Sequence, residues 1–88
     1  MFVLLTYDIA NPKRLPKILK TCRCHLFWIQ NSVFEGDLTE RQLSELIKKI
    51  EDIINKKEDS VFIYAFRDKS LANKKIIGIE KNEFGFIL

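Results

Sequence analysis

The chain has 88 residues, 47% of them hydrophobic and 31% charged, with a net charge of +3. A domain of that size buries only about 60 to 65% of the surface its unfolded chain exposes, so its core is thin and disulfides, a metal or a second copy are the usual supplements. The two cysteines exclude much of that choice: Cys22 and Cys24, in a Cys-x-Cys pair, do not suit the geometry of a mutual disulfide, and no second Cys or His pair completes a four-ligand zinc site. With no signal peptide and no apolar run approaching the roughly 18 residues of a membrane span, a cytoplasmic location away from membranes is expected. Oligomerisation is then the expected extra source of stability.

Phe2 to Tyr7 is an almost unbroken run of aliphatic, aromatic and β-branched residues, as in a central strand covered on both faces, and it ends at Asp8. Asn11 and Pro12 supply a turn or helix-start signal, and Leu15, Ile18, Leu19 and Cys22 then recur at helical spacing. Pro16 conflicts with a helix beginning at Pro12, so regular helix is expected only from near Pro16. Two short β-prone runs, Leu26 to Ile29 and Ser32 to Phe34, flank Gln30 and Asn31 and predict a hairpin or one sharply bent strand. Thr39 followed by Gln42 is a capping box, and Leu43, Leu46, Ile47, Ile50 and Ile54 predict a second helix from about Glu40 to Lys56. Val61 to Phe66 is another apolar strand, Ile76 to Ile79 a short one, and Phe84 to Leu88 an apolar C-terminal segment.

This order predicts an α+β fold, a ferredoxin-like βαββαβ sandwich in one domain over residues 1–88, with an additional C-terminal strand. Two helices cover one sheet face. The other, carrying Phe2, Phe62 and Tyr64, is too apolar for solvent and predicts a homodimer formed sheet to sheet. Residues 75–88 would pair with the partner subunit's sheet.

Charge is distributed unevenly. From Ile9 to Phe34 there is no Asp or Glu, while Lys13, Arg14, Lys17, Lys20 and Arg23 fall in that stretch, which makes Lys13, Arg14, Lys17 and Lys20 candidate phosphate contacts on RNA or duplex DNA. Such contacts hold the backbone without reading bases. Asp8, where an apolar strand meets a loop, is the candidate catalytic residue. Taken alone, its carboxylate serves first as a helix cap or a partner for Arg14, and a metal role comes second. A dimer reverses that order, because two copies of Asp8 about 5 Å apart would repel by about 3 kcal/mol at an effective dielectric of 20, and Mg²⁺ or Mn²⁺ held by both would remove the penalty. His25 reads as structural. Ser32 and the two thiols are nucleophiles by type without a recognisable base, and Phe27, Trp28 and Phe34 read as packing before base stacking.

The sequence resembles the Cas-two family, small CRISPR-associated proteins that act with the Cas-one integrase in spacer acquisition. The resemblance rests on Tyr7-Asp8-Ile9, the basic stretch with Lys13 and Arg14, Gln30-Asn31-Ser32-Val33-Phe34-Glu35-Gly36, and Asp59-Ser60-Val61-Phe62-Ile63-Tyr64, and it covers nearly the whole length. It implies a ferredoxin-like homodimer with a divalent metal between the two copies of Asp8, and metal-dependent endonuclease activity on single-stranded RNA or double-stranded DNA. Arg14 and Phe34 match family positions linked to that activity, and Tyr7, Ser32 and Phe34 stand as candidate supporting residues. An alternative is a non-catalytic dimeric scaffold that binds duplex DNA and bridges integrase dimers. A toxin-like messenger RNA nuclease is a further alternative.

Overall fold

The computed structural model describes residues 1–81. The first strand, β1 (Phe2–Asp8), is the one the rest is built around, since its successive side chains point to opposite faces and both faces are apolar. Val3 and Leu5 join Ile18, Cys22, Phe34, Leu46 and Ile50 in the buried core, while Phe2, Leu4, Thr6 and Asp8 alternate onto the opposite face.

A single 3-10 turn over Pro12–Arg14 follows, capped by the Asn11 side chain, which accepts from the Lys13 amide at 2.9 Å. The first regular helix, α1 (Leu15–His25), starts one residue before Pro16. Proline at the second helical position removes an N–H that no helix would satisfy, so the conflict with a start at Pro12 resolves as expected. Next come β2 (Phe27–Gln30) and β3 (Val33–Asp37), a hairpin with a bulge between Trp28 and Gln30 and with Asn31 in the left-handed region at φ 44°. The Trp28 indole N–H donates to the Asn31 carbonyl at 2.9 Å and braces this turn.

The second helix, α2 (Glu40–Ile53), begins at the expected capping box, with Thr39 Oγ1 accepting from the Gln42 amide and Gln42 Oε1 accepting from the Thr39 amide. It stops short of Lys56. The Asn55 carbonyl accepts from the amides of Glu58 and Asp59, at 3.0 and 2.8 Å, so the chain turns into β4 (Ser60–Phe66) instead of continuing the helix.

The four strands lie in the order β2-β3-β1-β4, every neighbouring pair antiparallel, with α1 and α2 on one face. This is the ferredoxin-like split βαβ arrangement that the element order predicts. Register sets Asp8 opposite Ser60, Thr6 opposite Phe62 and Leu4 opposite Tyr64 on the face without helices. That face is bare over β4: Phe62 and Tyr64 are 56% and 51% exposed. Nearer β2 and β3 the chain after β4 returns across it, where the Lys74 ammonium meets Glu35 Oε1 at 2.6 Å and Phe2 is covered. Residues 76–79, expected as a short strand, form none here. Ile77 and Ile79 stand 89% and 84% exposed. The segment expected from Phe84 to Leu88 lies outside the described residues.

Candidate metal and nucleic-acid site

Asp8 closes β1 on the open face, in a shallow depression lined also by Thr6, Tyr7, Ser60 and Phe62. Its side chain neither caps α1 nor pairs with Arg14, which corrects the first expectation for it: the 3-10 turn is capped by Asn11, and the Arg14 guanidinium is engaged with Asp59. Among the described residues the Asp8 carboxylate has no hydrogen-bond or ion-pair partner.

The donor set suits a hard cation. A carboxylate with hydroxyl side chains beside it offers oxygen ligands of the kind that hold Mg²⁺ or Mn²⁺ together with water. Among the described residues no group of three His, Cys, Asp or Glu side chains gathers to hold an ion. Among the described residues one chain thus brings a single carboxylate to this place.

Tyr7 and Phe34 lie on the other face of the sheet. Their rings stack at 6.0 Å between centroids, Phe34 is fully buried, and burial raises the Tyr7 phenol above its usual range. Phe34 is therefore a core residue in this fold. Ser32 is at the Asp8 end of the sheet, its carbonyl accepting from the Tyr7 amide at 3.2 Å. Cys22 is in the core, where burial pushes its thiol up to about 12, so it is no nucleophile. His25 Nδ1 contacts the Thr21 carbonyl at 2.9 Å at the end of α1, the structural role expected of it.

The basic candidates divide. Lys13, Lys17 and Lys20 are exposed and take part in no ion pair among the described residues. Lys13 belongs to the turn just after Asp8, whereas Lys17 and Lys20 follow α1 away from that end on the helix layer, across the sheet from the Asp8 side chain. Arg14 is different. Its Nε and Nη2 donate to Asp59 Oδ2 and Oδ1 at 2.8 and 3.0 Å, and Nη2 also lies 3.6 Å from Glu58 Oε1. Asp59 accepts further from the amides of Ala10, at 2.9 Å, and Asn55, at 2.8 Å. These contacts hold the Asp59 carboxyl down at about 2, the Arg14 fork being the largest cause. Asp59 was not among the sequence candidates, since its partner is 45 positions away and an Asp before a strand reads as an ordinary turn residue.

A ferredoxin-like sandwich whose central strand delivers one carboxylate, unpaired among the described residues, to the margin of an apolar sheet face defines a class of small α+β protein. The sequence profile described as CRISPR associated protein Cas2 matches residues 1–74. A protein of Dictyoglomus turgidum named CRISPR-associated endoribonuclease Cas2 is 47% identical over 83 residues, 94% of each chain, and one of Thermotoga maritima with the same name is 42% identical over 87 residues, 99% of each. A crystal structure described as cas2 superposes with a TM-score of 0.82 at 40% identity, covering 92% of this chain and 90% of that one. Streptococcus pyogenes Cas2 at pH 6.5 gives 0.77 at 31% identity, covering 89% and 100%. The chain belongs to the CRISPR associated protein Cas2 family.

Proposed function

We propose that this protein is a metal-dependent endonuclease of CRISPR adaptation, acting in the cytoplasm as a homodimer with the Cas-one integrase, its two copies of Asp8 sharing one Mg²⁺ or Mn²⁺. The observation that carries this reading is the unpartnered Asp8 carboxylate on a sheet face whose exposed Phe62 and Tyr64 call for a covering surface. A second copy related by a twofold axis would cover that face with the same apolar residues and bring its own carboxylate. Residues 75–88 would then add to the partner's sheet. The names of the relatives, endoribonuclease in each case, agree with phosphodiester cleavage.

In this reading the ion, when bound, would polarise the phosphodiester and lower the pKa of a bound water. The chain's own part is to hold the carboxylates at the end of a rigid central strand and to guide the sugar-phosphate backbone with Lys13. RNA and duplex DNA both present the required phosphates. The test is cleavage of labelled RNA and duplex DNA by wild type and Asp8→Asn with Mg²⁺ and Mn²⁺. If the ion lowers the barrier by about 3 kcal/mol, Asp8→Asn loses roughly 100-fold in rate with folding intact. Equal rates, or cleavage that persists in EDTA, exclude it.

One observation favours a second reading, the duplex-binding scaffold between integrase dimers. Lys17 and Lys20 are on the helix layer, which a sheet-to-sheet dimer leaves on its outside, remote from Asp8. Under that reading Asp8→Asn integrates spacers normally, and charge reversal at Lys13, Lys17 and Lys20 abolishes integration.

A further inference from the structure

Asp59 has a side chain with 0% exposure and four donors on its two carboxylate oxygens. Two come from Arg14, one from the backbone of Asn55 where α2 ends, and one from the backbone of Ala10, two residues beyond Asp8. The same Asp59 immediately precedes Ser60, the cross-strand partner of Asp8. Asp8 is thereby bracketed: the β1–β4 ladder fixes one side, and the carboxylate of Asp59 holds the loop leaving on the other. A guanidinium in this setting is a poor phosphate ligand. Its Nε–Nη2 edge is filled by Asp59, and Glu58 stands 3.6 Å from Nη2, so an arriving anion meets two carboxylates for one cation. Lys13, Lys17 and Lys20 carry no such burden.

We infer that Arg14 and Asp59 form a positioning pair for Asp8: Arg14 acts on the reaction by locking, through Asp59, the loop that follows Asp8, and not by contacting the nucleic acid. The inference rests on Asp8 being the residue at which the reaction occurs. It makes Asp59 a residue on which activity depends although it touches neither substrate nor ion.

The experiment compares Arg14→Gln, Asp59→Asn, their double variant and Lys13→Ala in the full chain, measuring RNA affinity against salt concentration together with kcat and KM. For a phosphate contact, loss of one positive charge flattens the slope of log affinity against log salt by about 0.7 on a single strand, as expected for Lys13→Ala. Arg14→Gln and Asp59→Asn are expected to leave the slope unchanged and KM within about twofold of wild type, to lower kcat at least tenfold, and to be no worse combined than alone, as for two members of one unit. A slope flattened by Arg14→Gln as much as by Lys13→Ala, or a double variant whose losses multiply, overturns the pair. Should either single variant unfold at the assay temperature, Arg14→Lys decides, because it keeps the charge and loses the fork: lower kcat at unchanged KM supports the pair, and raised KM at unchanged kcat overturns it. Absence of Asp8-dependent cleavage in wild type sinks the nuclease reading by itself. The salt slope then still decides whether Arg14 contacts the nucleic acid: an unaltered slope upholds the pair as a lock on the loop after Asp8, its part in the reaction falling with the nuclease reading, and a flattened one overturns the pair.

Discussion

Asp59 is held ionised by its neighbours, and that has a consequence for stability. Its carboxyl titrates at about 2 in the fold, against 3.8 when unperturbed, chiefly because of the Arg14 fork. A group with a depressed folded pKa contributes stability that is fully present above its unfolded value and is lost as pH falls through the folded one. The contribution of Asp59 is therefore complete above about pH 4 and fades between there and pH 2. Asp59→Asn is expected to be less stable than wild type at pH 7, with the difference closing by pH 2. Urea unfolding of both proteins at pH 7, 4 and 2 checks this, and a pH-independent difference contradicts it. The two cysteines give a second residue-scale expectation. Cys24 is exposed, whereas the buried Cys22 thiol is pushed up to about 12. Iodoacetamide at neutral pH should label Cys24 alone in the folded protein and both thiols in denaturant, as read by intact mass.

Among the elements, α2 depends most visibly on a local signal. Its capping box satisfies two backbone donors that would otherwise go unpaired, and Leu46 and Ile50 bury the face that anchors it. Thr39→Ala removes the side-chain acceptor while leaving that face intact. The loss should be about 1 kcal/mol, which for a domain of this size lowers Tm by roughly 4–8 °C. A calorimetric scan decides it, and an unchanged Tm would mean that water caps the helix equally well. In α1 the order is different. There Asn11 caps a 3-10 turn, Pro16 occupies the second helical position, and the helix is held by Ile18 and Cys22 in the core.

At the scale of the molecule, the two faces of the sheet differ. One is closed by helices over a core that includes Val3, Leu5 and Phe34, and the other leaves Phe62 and Tyr64 more than half exposed. A small domain with so thin a core gains most from covering such a surface with a copy of itself. Phe62→Asp is expected to halve the solution mass measured by light scattering and to abolish Asp8-dependent cleavage together with it, since a lone chain supplies one carboxylate. A variant that is monomeric yet cleaves at the wild-type rate would remove the shared ion from the reading.

Local physics is strong enough in this sequence to declare its elements. The apolar run ending at Asp8, the Pro12 and Pro16 conflict, the Thr39–Gln42 box and the periodicity of α2 each speak through neighbours three or four residues apart. Their order then leaves the split βαβ arrangement as the economical packing. Tertiary structure alone decided where β3 ends: it runs on through Glu35, Gly36 and Asp37, poor strand formers, because β1 offers a ladder to pair with as far as Phe2 opposite Asp37. It also decided the partner of Arg14. Sequence sees a cation in an acid-free stretch, but the carboxylate that claims it lies 45 residues on and meets it only when β4 docks beside β1. Charges are paired by distance in space, which chain spacing does not encode, whereas caps and hydrophobic periods are set by neighbours along the chain.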